Sequence, residues 1–156
     1  MINIYENLIE YSGISEYIPK DLTCYKEFNL ESIIDLPLNR PTLKEIIKVS
    51  MKPIINSTRI IDTPQGKSLE GQELTGKKYI IEGEVKLRID YLAENEKNKI
   101  YCIYHKQNFS SGMILHKDMV NSHILIPSIF IEEINAELLS NEQIIVLVTL
   151  LSTVEK

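Results

Sequence analysis

Glycine and lysine residues near the middle of the chain come close to a phosphate-binding loop. Residues 71–78 read GQELTGKK and fit the pattern G-x-x-x-x-G-K. In a nucleotide-binding loop the next residue is Ser or Thr, which binds magnesium, and the loop connects a strand to a helix. Here that residue is Lys78 and the segment leads into a strand pattern, so we do not expect a nucleotide site.

The three histidines and two cysteines are the other candidates for chemistry. His105, His116 and His123 lack the close spacing of metal ligands, and exposed or hydrogen-bonded histidines are the commoner alternative. Cys24 and Cys102 are not clustered as in a zinc site or a disulfide scaffold. We expect both to be reduced, while a structural bridge or a crosslink between molecules stays open. The sequence therefore predicts no catalytic residue, no metal, no cofactor and no enzymatic activity.

Charge and composition exclude two classes of partner. The formal net charge is −5 and the pI is near 5.3, whereas nucleic-acid binding needs clustered Lys and Arg. No stretch approaches the roughly 20 apolar residues of a membrane helix, so we expect no membrane insertion. A length of 156 residues suits one domain. The first residues, MINIYENLIEYSG, lack the basic start and apolar run of a signal peptide, which predicts synthesis in a cytoplasm.

Residues 76–91 give the strongest structural signal. Apolar and polar positions alternate along them, as in a strand with one face on a core and one in water. The thirteen positions from 79 to 91 would span roughly 43 Å, so a bend or bulge is expected, most naturally at Gly83, which lacks a Cβ. The core side has Tyr79, Ile81, Gly83, Val85, Leu87, Ile89 and Tyr91, and the solvent side has Lys78, Ile80, Glu82, Glu84, Lys86, Arg88 and Asp90.

Two short segments upstream have helical patterns. Asn29 is predicted to cap a turn that runs through Ile34, and residues 41–47 are predicted to form a short helix that starts near Pro41. Residues 49–63 then read as extended chain, in which Pro53 requires an edge strand or a bulge.

Downstream, residues 100–104 are predicted to pair with residues 76–91 as a hairpin. Residues 143–151, QIIVLVTLL, are predicted to form a strand covered on both faces. The fold class is therefore mainly β: an antiparallel β-sandwich-like domain with one or two short helices and an N-terminal arm.

The arm comprises residues 1–27, ahead of a domain body at residues 28–156. Our hypothesis is that the arm leaves the body and packs on a neighbouring subunit, while exposed sheet edges add further contacts. The candidate assembly or crosslinking residues are Tyr5, Tyr11, Tyr17, Cys24 and Cys102.

A series of motifs along residues 28–154 resembles the SPOCS domain, which occurs in morphogenetic proteins of the spore coat in endospore-forming bacteria. The most specific portion is TRIIDTP at 58–64, GKSLEGQ at 66–72 and LTGKK at 74–78. The chain departs from the family at Asn108, where a Pro tends to precede the Phe. No LysM module follows in this sequence, so the resemblance is to the stand-alone form and does not imply peptidoglycan binding. Further similar positions are Phe28, 31–37, 40–47, 81–83, 89–91, 131–134 and the terminal aliphatic strand.

The resemblance implies a structural, non-enzymatic protein that is made in the mother-cell cytoplasm and deposited on the spore envelope. Its layer would be the coat, the exosporium or a spore-surface appendage, and its partners would be further copies, as a homo-oligomer or filament, and other spore envelope proteins.

Two alternatives stay open. One is an adaptor that binds another spore coat morphogenetic protein without polymerising. The other is a carbohydrate-binding β-sandwich, which predicts a concave site lined by several of Tyr79, Tyr91, Tyr101 and Tyr104.

Overall fold

The computed structural model describes residues 8–95 and 99–156 and forms them into seven β-strands. These two ranges contain no α-helix, and hence no helix that could cross a membrane. The strands are β1 (Glu10–Ser12), β2 (Tyr25–Asp35), β3 (Leu43–Lys67), β4 (Glu73–Ala93), β5 (Ile100–Ile114), β6 (Ile126–Ser140) and β7 (Gln143–Glu155).

The strands form two sheets that pack as a sandwich. Sheet A has the order β1-β3-β4-β5, and sheet B has the order β2-β7-β6. All pairings are antiparallel except that of β1 with β3. Contacts between the sheets join β3 to β6 on one side and β2 to β5 on the other. The predicted mainly β, sandwich-like fold is confirmed.

Strand β4 lies in the middle of sheet A and has the predicted alternation. Its core-side residues from Tyr79 to Tyr91 are buried, while Lys86 and Arg88 are exposed on the opposite face. The hairpin with β5 is also confirmed, and it is longer than expected, since β5 continues to Ile114. Burial of one face of β4 against sheet B therefore fixes which face of sheet A meets solvent.

The irregularity expected at Gly83 lies on the neighbouring strand. The register of β3 on β4 shifts between Ile55 and Ser57, directly opposite Gly83. A Cβ at Gly83 would lie 2.2 Å from the carbonyl oxygen of Ile54 and 2.8 Å from the ring of Phe109. Gly83 is therefore required for close approach of two backbones.

Both predicted helices are wrong. Residues 29–34 belong to β2, which pairs with β7 over its whole length, and residues 43–47 begin β3. In β3, register shifts between Leu43 and Glu45 and between Ile46 and Lys48 each insert an extra residue. Inward side chains consequently recur every third residue, which imitates the spacing of a helix face.

The terminal strand β7 is the central strand of sheet B, but only one of its faces is fully covered. Ile144, Val146 and Val148 are buried against sheet A, whereas 43% of Leu147 is exposed on the outer face. The prediction that both faces are covered is wrong, because the sandwich has only two layers.

Candidate assembly surfaces

The outer edge of β3 is open over most of its length. Strand β1 pairs with β3 only at Lys48–Ser50, and no other strand in residues 8–95 and 99–156 continues along that edge to Lys67. Pro53 lies in this segment, where its missing N–H costs no ladder hydrogen bond, as predicted for an edge strand. Open edges offer unpaired N–H and C=O groups to a further strand.

Beyond the sandwich, β3 and β4 continue as an exposed hairpin. Ile60 and Ile61 are 48% and 39% exposed, and Leu69 at the tip is fully exposed. The Ser68 N–H donates to the Gln72 carbonyl at 2.9 Å, and the Ser68 hydroxyl accepts from the Gln72 N–H at 3.0 Å. The segment that fits the phosphate-loop pattern forms this turn and the start of β4, so it does not connect a strand to a helix.

The described part of the N-terminal arm packs on its own domain. The phenolic oxygen of Tyr11 accepts a hydrogen bond from the Ala136 N–H at 2.9 Å. Ser15 makes a reciprocal pair with Ile131: its N–H donates to the carbonyl at 2.9 Å, and its hydroxyl accepts from the N–H at 3.0 Å. Because β1 also pairs with β3, the arm ties the two sheets together on their β3 and β6 side.

The three tyrosines nominated in the arm have different environments. Tyr11 is half-buried and hydrogen-bonded as described, whereas Tyr17 is 73% exposed. Tyr5 lies outside the described residues. Of the two that are described, only Tyr17 has the exposure that a direct contact with a neighbour requires.

The two cysteines are free thiols in separate environments. Cys24 is buried, and its thiol donates to the Ile114 carbonyl at 3.4 Å. Burial raises the pKa of the Cys24 thiol, against a smaller lowering by a backbone hydrogen bond at His116. Cys102 is half-exposed on the outer face of sheet A, opposite Asp90. A crosslink between molecules is therefore chemically open to Cys102 and disfavoured for Cys24.

The tyrosines proposed for a carbohydrate site do not come together. Tyr79 and Tyr91 are buried in the core, and Tyr101 stacks on Tyr91 with ring centroids 5.8 Å apart. Tyr104 is 74% exposed on the opposite face, where the Arg88 guanidinium lies 5.9 Å from its ring centroid. A concave site lined by several of them is not present.

The histidines are likewise dispersed. His116 lies 3.2 Å from the carboxylate of Asp118, and His123 is exposed. Within the described ranges, no three His, Cys, Asp or Glu residues are arranged to hold a metal.

A protein-family model matches this chain. The model described as SipL, SPOCS domain, matches residues 42–139, more than half of the chain. This chain belongs to the SPOCS family. The SPOCS match spans β3 to β6 and contains the open edge and the hairpin, whereas β1, β2 and β7 lie outside it. No curated protein and no solved structure matches significantly. A SPOCS domain indicates a protein related to sporulation.

Proposed function

We propose that this SPOCS protein is a structural, non-enzymatic component of the bacterial spore envelope, in the coat, the exosporium or a spore-surface appendage. It is made in the mother cell and self-assembles through its sheet edges and its N-terminal arm. The open edge of β3 carries the proposal, because a strand of 25 residues is covered by β1 over three of them.

Proteins that must stay monomeric protect such an edge with short strands, charges, bulges or a covering segment. In β3, Lys52, Pro53 and the register shift after Ile55 protect the first part of the edge. The part beyond them carries Ile60 and Ile61, both partly exposed. Added backbone pairing would supply affinity there, and these isoleucines would supply apolar contact area.

The arm supports the proposal in a second way. It contacts its own domain through three hydrogen bonds with Ala136 and Ile131 and through the three-residue pairing of β1 with β3. The same contacts can form with a neighbouring copy if the arm is exchanged, as in domain swapping.

The test compares the purified protein with two single-lysine variants by light scattering and negative-stain microscopy. Ile60→Lys places a charge on the open edge, and we expect it to reduce assembly at least tenfold. Leu69→Lys makes the same charge change at the hairpin tip, off the edge, and should leave assembly unchanged. Equal assembly of all three proteins would refute edge pairing.

Two further variants test the N-terminal arm and the exposed cysteine. Deletion of residues 1–14 should abolish assembly if arms are exchanged, whereas intact assembly would remove the arm from the proposal. Sensitivity to reductant that disappears in Cys102→Ser would assign a crosslink to that thiol.

An adaptor role is the second candidate, since the same open edge could accept a strand of another spore coat protein. A monomer under every condition, together with a defined complex with such a protein, would favour the adaptor.

A further inference from the structure

The outer face of sheet A contains a row of three lysines. Lys52, Lys86 and Lys106 lie directly opposite one another on β3, β4 and β5. Neighbouring Cβ atoms in such a row are about 5 Å apart, and like charges at this spacing repel. Lys106 reaches Glu84 at 3.3 Å, but no carboxylate in the described chain pairs with Lys52 or Lys86. The row therefore contains two lysines whose positive charge is not matched by a carboxylate of the described chain.

The neighbouring rows on the same face contain further charges. Arg88 lies in the row beside the lysines and Lys48 in the row after it, and each is matched by one carboxylate, Asp90 at 3.1 Å and Glu10 at 3.6 Å. With Glu84 in the row on the other side, five cations face three carboxylates, which gives a formal charge of +2. We call this surface the basic face.

The outer face of sheet B has the opposite character. The strand register places three carboxylates from β2 and two from β6 on it, and the unpaired bulge residue Glu132 contacts Glu27 there. No Lys or Arg of the described strands β2, β7 and β6 shares that face. These six carboxylates have a formal charge of −6, against −5 for the whole chain, and Glu155 at the end of β7 adds a seventh negative charge. We call this surface the acidic face, and its six flanking carboxylates are Glu27, Glu31, Asp35, Glu132, Glu133 and Glu137.

The two faces also match in spacing. On the acidic face the carboxylates flank β7, which presents Leu147 between them. With strands about 4.8 Å apart, the flanking strands on either face are about 10 Å apart. Lys52 and Lys106 are therefore as far apart as β2 and β6, the two strands that carry the carboxylates. When the faces are superposed in this way, the aliphatic stem of Lys86 lies over Leu147.

We propose that the basic face of one molecule docks on the acidic face of a second copy. The two faces lie on opposite sides of the sandwich, so each contact leaves one basic and one acidic face free, and the stack continues. The acidic face is eleven residues of β2 long and three strands wide, about 36 Å by 14 Å, so docking over all of it covers about 500 Å² per partner, below the roughly 800 Å² of a standard interface. Single contacts are therefore weak and salt-sensitive, and their association is measured at high protein concentration.

This inference rests on the proposed self-assembly and adds a second direction to it. Edge pairing extends an assembly within the plane of the sheets, while face docking extends it perpendicular to that plane. Together the two contacts generate a layer rather than a single fibre.

The test uses full-length protein with Ile60→Lys, so that edge pairing is blocked, and measures association by sedimentation. The variant Lys52→Glu/Lys86→Glu/Lys106→Glu should bind itself at least tenfold more weakly. An equally charged control, Lys20→Glu/Lys67→Glu/Lys117→Glu, changes exposed lysines off the basic face and should retain association. Raising salt from about 20 to about 500 mM should also weaken association at least tenfold.

Reversing the charges of both faces in separate variants provides the decisive experiment. The variant Glu31→Lys/Glu133→Lys/Glu137→Lys should also fail to bind itself, but its mixture with the basic-face variant should associate again, and a mixture with the off-face control should restore less. No recovery in the mixture, or equal loss in the off-face control, would overturn face docking. Binding of the basic face only to added polyglutamate would overturn it as well and assign the face to a different acidic partner.

A failure of edge pairing can be distinguished from a failure of face docking. If edge pairing is wrong, Ile60→Lys leaves assembly unchanged, whatever the result with the charge variants.

Discussion

At Gly83 the backbone of β3 leaves no room for a side chain on β4. The atom nearest to an added methyl group would be the Ile54 carbonyl oxygen at 2.2 Å, a backbone atom that can move only with its strand. We expect Gly83→Ala to lower the free energy of unfolding by about 2–3 kcal/mol, the usual cost of overpacking a core. Denaturant unfolding measures this difference.

Gly112 provides the matched control on β5. A Cβ there would meet the ends of the Lys78 and Ile80 side chains, at 2.7 and 2.9 Å, and both ends are free to rotate away. Gly112→Ala should therefore cost less than about 1 kcal/mol. An equal loss in both variants would show that crowding by side chains, rather than the approach of the β3 backbone, sets the cost at Gly83.

A second single residue, Glu132, should make the free energy of unfolding depend on pH. Burial raises its pKa, and a hydrogen bond with Glu27 and the charge of Glu27 raise it further. A glutamate whose pKa is higher in the folded protein contributes stability below the ordinary glutamate pKa, and this contribution is lost as pH rises through the folded value. Glu132→Gln should therefore gain stability relative to the native protein as the pH rises from about 4 to about 7.

Urea unfolding midpoints at several pH values measure that gain. Glu137→Gln removes a carboxylate farther along β6 and serves as the control. If the two variants have the same pH profile, the contact between Glu27 and Glu132 does not govern the effect.

At the scale of the element, the sequence predicts strands well where the register is regular. The alternation in β4 survives from Lys78 to Leu92 because each of these residues has one partner on β5. At the start of β3 two register shifts bring Leu43, Ile46 and Val49 inward, and the pattern then imitates a helix. Local spacing carries no information about an inserted residue, because the insertion is defined only by the partner strand.

The candidate assembly surfaces were predictable in part. An edge strand is one of the two alternatives, edge or bulge, that Pro53 predicts. The lysine row could not be predicted in this way, because Lys52, Lys86 and Lys106 are separated in sequence and meet only through the register of three strands. The exposure of Cys102 and the burial of Cys24 also depend on the tertiary fold, and the positions of two cysteines in a sequence do not reveal it.

For the whole molecule, the part that matches the SPOCS family is smaller than the sandwich. Residues 42–139 supply β3 to β6, but they lack β2 and β7 and leave sheet B with a single strand. Strand β7 alone buries six large aliphatic side chains: Ile144, Val146, Val148, Leu150, Leu151 and Val154. At about 1.5–3 kcal/mol each they contribute about 9–18 kcal/mol gross, comparable to the entire stability of an ordinary domain.

A chain of residues 42–139 should therefore lack cooperative unfolding and show poor amide dispersion in NMR spectra. A chain of residues 8–156 retains all seven strands, and we expect it to unfold in one transition, like the full-length protein. Adding residues 25–35 and 143–155 as separate peptides should restore structure to the fragment, because both belong to sheet B. Cooperative folding of residues 42–139 alone would mean that sheet A is stable without its second layer, and that the sandwich is not the folding unit.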